Sequence, residues 1–121
     1  MNQFSNKYDL EERLEKFGED IILLCKSIDQ DTISKIMIGQ LTRSGTSMGA
    51  NYMEANGASS KKDFANKIYL CKKEAQETKH WLRMLLKCCP SKKSIILLLS
   101  DECRQLILIF QAISAKLKNQ P

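Results

Sequence analysis

Apolar residues recur every three or four positions along almost the whole chain, in four stretches separated by short polar runs. This period matches an α-helical turn and rules out the two-residue alternation of a half-buried strand. The first stretch, residues 8–27, carries Leu10, Leu14, Phe17, Ile21 and Leu24, with Ile28 just beyond, in strict alternation of four and three. The second, residues 32–55, reads Ile33, Met37, Leu41, Ser44, Met48, Asn51 and Ala55. The third, residues 61–88, reads Phe64, Ile68, Cys71, Ala75, Thr78, Leu82 and Leu85. The fourth, residues 92–118, is apolar around most of its girth, with unbroken runs at 95–99 and 106–110. A helix apolar on more than one side is covered on more than one side. Its surplus predicts contact with another subunit.

Local signals agree with this division. Asp9 with Glu12, and Ser60 with Asp63, have the spacing of capping boxes, and acids crowd the first turns of the first stretch. Residues 27–32 and 56–60 are polar or small and read as turns, and Pro90 stops the third helix. Residues 44–50 are nearly all small, and glycine costs about 1 kcal/mol in a helix interior. The apolar stripe nevertheless runs through them in register. Gly45 and Gly49 fall on one face, where a neighbouring backbone can approach closely. The expected fold is all-α: one antiparallel up-down-up-down four-helix bundle occupying residues 1–121.

With 121 residues, 43% hydrophobic and 27% charged, the chain is sized for one core and is not composed like a disordered one. Its longest apolar runs fall far short of the roughly 20 residues of a membrane span. The polar N-terminal region shows no secretory signal. Five cysteines, an odd number with no C-x-x-C pair, suit a reducing cytoplasm better than a disulfide framework. The net charge of +5 is unevenly spread. Residues 1–31 hold four Lys/Arg against eight Asp/Glu, whereas 61–93 hold ten against three. Such asymmetry predicts a basic surface with an anionic partner.

On a helical wheel Lys62, Lys72, Lys73, Lys79, Arg83 and Lys87 gather in one wedge away from the Phe64/Ile68 seam, and Lys92 and Lys93 follow at the next helix start. This wedge is the candidate nucleic-acid surface. Glu77-x-x-His80 has the ligand spacing of a carboxylate-bridged di-iron site, but that site needs a second such motif, and His80 is the only histidine. Flank groups engaged in hydrogen bonds or ion pairs are the better expectation for these acids. No metal, no cofactor and no enzymatic activity are expected, since neither a nucleophile–base arrangement nor a phosphate-binding glycine loop is present. Trp81 sits beside the seam, as a core-edge packer or an interface anchor.

Three blocks resemble a known family. They are residues 40–55 (QLTRSGTSMGANYMEA), 60–64 with Lys67, and 73–82 (KEAQETKHWL). The resemblance is to the bacterial four-helix bundle proteins that include the 23S ribosomal RNA intervening-sequence proteins. It implies a bundle assembled as a ring-shaped homopentamer with a central channel. A relative, the accessory protein of diversity-generating retroelements, binds nucleic acid through a basic surface and partners a reverse transcriptase. Carried onto this chain, the resemblance marks Arg43, Asn51, Glu54, Lys67, Glu74, Glu77 and Trp81 as structural or assembly positions. They would form a polar network between the second and third helices or between neighbours in the ring. If Arg43 and Glu74 form a buried pair, truncating either costs about 3–5 kcal/mol and breaks assembly. The expected function is sequence-tolerant binding of RNA or DNA, the rival being a scaffold for an acidic protein.

Overall fold

Short polar connections turn each helix back along its predecessor. The computed structural model describes residues 7–119. It contains four helices, α1 (Lys7–Lys26), α2 (Thr32–Asn56), α3 (Lys61–Cys88) and α4 (Lys93–Lys118). A single 3-10 turn, Pro90–Lys92, leads into α4, so that helix begins one residue later than expected. Proline suits this turn because the first residue of a helix needs no N–H. At the other end of the chain α1 already includes Lys7, which places Asp9 inside the first turn rather than at the cap.

Two starts are capped by side chains. Asp31 Oδ1 accepts from the backbone N–H of Ile33 at 3.0 Å and of Ser34 at 2.8 Å, while Ser34 Oγ accepts from Asp31 N–H at 2.9 Å. These bonds, first of all that from the Ser34 backbone, hold the Asp31 carboxyl below the usual range. Ser60 Oγ accepts from Asp63 N–H at 3.0 Å as expected. Asp63 answers to Ser59 N–H at 3.3 Å, so this box closes one residue upstream.

The helices pack as a square in chain order. Each neighbours the next, α1 meets α4, and the backbones of the diagonal pairs do not approach. The α2–α3 seam is the most intimate and the α1–α4 seam the sparsest. Phe17, Phe110, Leu14, Ile21, Leu41, Met48, Ile68, Leu82, Leu85, Ile96 and Leu106 fill the centre. Cys71 and Cys103 lie among them as small apolar groups, and burial pushes both thiols up to about 12. All five cysteines are unpaired. No helix among the described residues is long and apolar enough to cross a membrane.

The expected stripe of α2 needs correction. Ile33 is 61% exposed, and Met37 and Asn51 are only half-buried. The buried set is Ser34, Ile38, Leu41, Gly45, Met48, Tyr52 and Ala55, an unbroken alternation of four and three, with Ser44 beside it. Ser34 hides its hydroxyl in the capping box, so a polar residue opens the inner face and an apolar one, Ile33, stays outside.

The small-residue stretch is helical, and of its two glycines Gly45 is the one needed for space. A Cβ on Gly45 would stand 3.1 Å from both Cγ atoms of Ile21 in α1, whereas one on Gly49 would make ordinary contact with Leu14 at 3.7 Å. Ile21 is fully buried and branched, so it cannot yield. Gly45→Ala should therefore lower stability by about 1–2 kcal/mol, overpacking outweighing the helix-propensity gain. Gly39, with nothing within 4 Å, is the control. Gly39→Ala should raise stability by up to about 1 kcal/mol. Urea midpoints of the two variants read both signs, and a stabilised Gly45→Ala would contradict the close approach.

Candidate nucleic-acid interface

α3 lies between α2 and α4, and its two outer flanks carry different chemistry. On the flank away from α2, Lys62, Lys73, Lys79, Arg83 and Lys87 are all exposed, and Lys93 is exposed at the start of α4. None of them makes an ion pair among the described residues. From Lys62 to Lys87 the column is about 38 Å long, from the rise of a helix per residue. Two of the expected contributors stand apart. Lys72 is half-buried toward α4, with its ammonium 5.7 Å from the centroid of the Tyr69 ring, a cation–π arrangement. Lys92 is half-buried in the 3-10 turn, beside Cys88 and Cys89.

The flank toward α2 is where the acids of α3 are neutralised. Arg43 Nη1 donates to both carboxylate oxygens of Glu74 at 3.1 and 3.2 Å, and Nη2 donates to Glu77 at 2.8 Å. Glu74, ahead of Glu77, raises the Arg43 pKa. Lower on the same seam Lys67 Nζ donates to Glu54 at 2.9 Å. Five of the seven positions marked for structure thus tie α2 to α3, and the basic column is left without an acid in it. Glu77 is held by arginine here, not turned toward a metal with His80. His80 instead lies against Trp81, ring centroids 4.8 Å apart at 72°, and Trp81 is half-buried against the core.

Two of the marked positions behave otherwise than expected. Asn51 donates its Nδ2 to Ser47 O at 3.0 Å within its own helix and joins no network across helices. The Arg43 cluster is not a buried pair either: the Arg43 side chain is 47% exposed and that of Glu74 16%. Solvent screens such pairs, so Arg43→Ala should cost about 1 kcal/mol rather than the larger figure for a buried charge. A thermal or urea melt would show the difference. A loss above about 3 kcal/mol would restore the buried-pair account.

Sequence reasoning missed the clamp that closes the α1–α4 seam. Arg13 Nε and Nη2 each donate to a carboxylate oxygen of Glu102 at 2.7 Å, and Nη2 also reaches Gln105 Oε1 at 2.9 Å. Both partners are about a quarter to a third exposed, and the Glu102 hydrogen bond is the main reason the Arg13 pKa rises. The available signal was weak: opposite charges flank the two apolar stripes, but nothing in one sequence says which meet. Asn56 Nδ2, donating to Glu11 at 2.7 Å, was missed for the same reason.

A column of unpaired cations on a rigid helix can contact successive phosphates without reading bases. Comparison with known proteins bears on the fold. No curated protein matches the chain. A crystal structure of a protein of unknown function from the S23 ribosomal protein family of Bacteroides thetaiotaomicron is similar to it. The two share 30% identity and a TM-score of 0.78, over 86% of this chain and 96% of that one. The family model for the 23S rRNA-intervening sequence protein matches residues 6–112. With that match covering α1 to α3 and most of α4, the chain belongs to the 23S rRNA-intervening sequence protein family.

Proposed function

We propose that the protein is a non-enzymatic, homo-oligomeric, cytoplasmic bundle that binds the backbone of RNA or DNA through the basic column of α3, as an accessory factor of a nucleic-acid-handling complex. The observation that carries this reading is the column itself: exposed Lys and Arg over about 38 Å with every α3 acid on the opposite flank held by α2 or α3's own start. Phosphate contacts of this kind supply affinity with little sequence preference. Exposed Ile33, Ile36, Leu97, Leu98 and Leu108 leave apolar surface on α2 and α4 that a second copy would remove from water, which supports self-association. The resemblance to ring-forming relatives points the same way and suggests five copies.

Fluorescence anisotropy of a labelled RNA hairpin and a matched DNA duplex, across a salt series, tests the binding. Affinity should fall steeply with salt, and the slope should shrink by about 0.9 for each duplex phosphate that a variant no longer neutralises. Lys73→Glu, Arg83→Glu and Lys87→Glu together should weaken binding by at least about tenfold at low salt. Absence of binding even at low salt would remove the nucleic-acid reading and leave an acidic protein as the better partner for the column.

A further inference from the structure

Two shallow grooves lie on opposite sides of the square, and they are opposite in sign. The first runs between α1 and α2, with a volume of about 390 Å³. Its floor is made of small residues, Gly18, Thr46, Gly49 and Ala50, and its apolar walls include Met53, 67% exposed, and Ile22, 40% exposed. Glu15 and Glu19 rim it, one helical turn apart, and make no ion pair among the described residues. The second runs between α3 and α4, with a volume of about 320 Å³, and is lined by Ala65, Tyr69, Lys72, Ser114, Leu117 and Lys118. Its rim is basic, and the Tyr69 ring stands out of it, 57% exposed.

We propose that these two grooves are the halves of one contact between copies of this chain, the acid-rimmed α1–α2 groove of one seating the base-rimmed, Tyr69-bearing α3–α4 groove of the next. The inference rests on the self-association proposed above and deepens it by naming the surfaces. Three features favour a second copy as the occupant. Charge is complementary, Glu15 and Glu19 facing Lys72 and Lys118. Shape is complementary, a floor without bulky side chains receiving a projecting aromatic ring of the kind enriched at interface centres. The third feature is placement. Both grooves lie toward the end of the bundle that holds the α2–α3 turn, since they use the C-terminal halves of α2 and α4 and the N-terminal half of α3. Copies joined groove to groove then stand level, with little shift along the bundle axis. Such a head-to-tail contact closes into a ring when each copy is also turned relative to the last, and without that turn it runs on as an open row. It also separates two sets of basic side chains. Lys72 and Lys118 belong to assembly, while Lys62, Lys73, Arg83 and Lys87 stay on the outer column.

The test is the mass of the purified protein by light scattering and sedimentation velocity, with circular dichroism confirming the helical fold of every variant. One variant carries Glu15→Lys and Glu19→Lys, the other Lys72→Glu and Lys118→Glu. Each alone presents two like-charged grooves and should fall from the assembled mass to the 13.8 kDa of a single chain. Mixed in equal amounts, they again present opposite grooves to each other and should reassemble. A wild-type protein that sediments as a single chain at every concentration would overturn the self-association reading, and this contact with it. An assembled wild type whose two variants keep its mass, or fail to reassemble on mixing, would overturn the groove pairing alone.

Discussion

Phe110→Ala should be the most damaging single truncation in the bundle, lowering stability by about 3–5 kcal/mol. The Phe110 ring is fully buried and extends from α4 toward the diagonally placed α2, where it meets Tyr52 with ring centroids 6.4 Å apart at 53°. Its removal forfeits the burial of a large apolar surface and leaves a cavity. The helices around that cavity, pinned by their other neighbours, can collapse only in part. Small domains are stable by roughly 5–15 kcal/mol in all, so the variant should lose a large share of the total. Urea unfolding measures this as a lower midpoint with an unchanged slope. Leu98→Ala, at a side chain 69% exposed on the same helix, should stay within about 0.5 kcal/mol of the parent. Equal effects from the two would mean that α4 presents a different face to the core.

The second large effect is expected at the buried hydroxyl pair in the middle of the α2–α3 seam. Ser44 and Thr78 are both fully buried, and their hydroxyl oxygens are hydrogen-bonded at 2.9 Å. Thr78 Oγ1 also lies 2.8 Å from the Glu74 carbonyl in its own helix. Thr78→Val keeps the volume but leaves the Ser44 hydroxyl only a long bond to the Leu41 carbonyl of its own helix, at 3.5 Å, a cost of about 1–3 kcal/mol. Ser44→Ala should cost less, because Thr78 retains the Glu74 carbonyl. The double variant is the informative one. With both hydroxyls gone nothing is left unpaired, and the loss should be smaller than the sum of the two single losses. Strict additivity in this cycle would show that the two hydroxyls do not depend on each other.

The helices and their order were legible because periodicity and punctuation told the same story. In α3 the predicted Ile68, Cys71, Ala75, Thr78, Leu82 and Leu85 are all buried, and Phe64 is partly so. In α1 the alternation from Leu10 to Leu24 holds without exception. The face of α2 was misplaced at its start because hydrophobicity was taken as a proxy for burial. Ile33 and Ile36 are apolar and exposed, and Ser34 is polar and buried, a reversal that a cap and an uncovered surface can each produce. At the candidate site, the outward column was legible from spacing alone, and so was the family resemblance carried by residues 40–55 and 73–82. The partners were not. Arg43 could have met any acid on a neighbouring helix, and Arg13 and Glu102 stand 89 positions apart, a pairing that only the closed square specifies. Lys72 looked like its neighbours on the wheel, yet Tyr69 and α4 take it out of the column.

The square in chain order also biases how the bundle can be assembled in time. Three of its seams join consecutive helices, across connections no longer than residues 27–31, 57–60 and 89–92. Closing such short loops sacrifices little chain entropy, and pairings this local are the kind that form early. The tightest seam, α2–α3, is joined by only residues 57–60 and has a capped restart at Ser60. The α1–α4 seam is the reverse in both respects: sparse, and separated by most of the sequence. Its closure has the highest entropic barrier and the least packing to offset it. The forked Arg13–Glu102 clamp therefore sits where a latch is most useful, on the last edge of the square to shut.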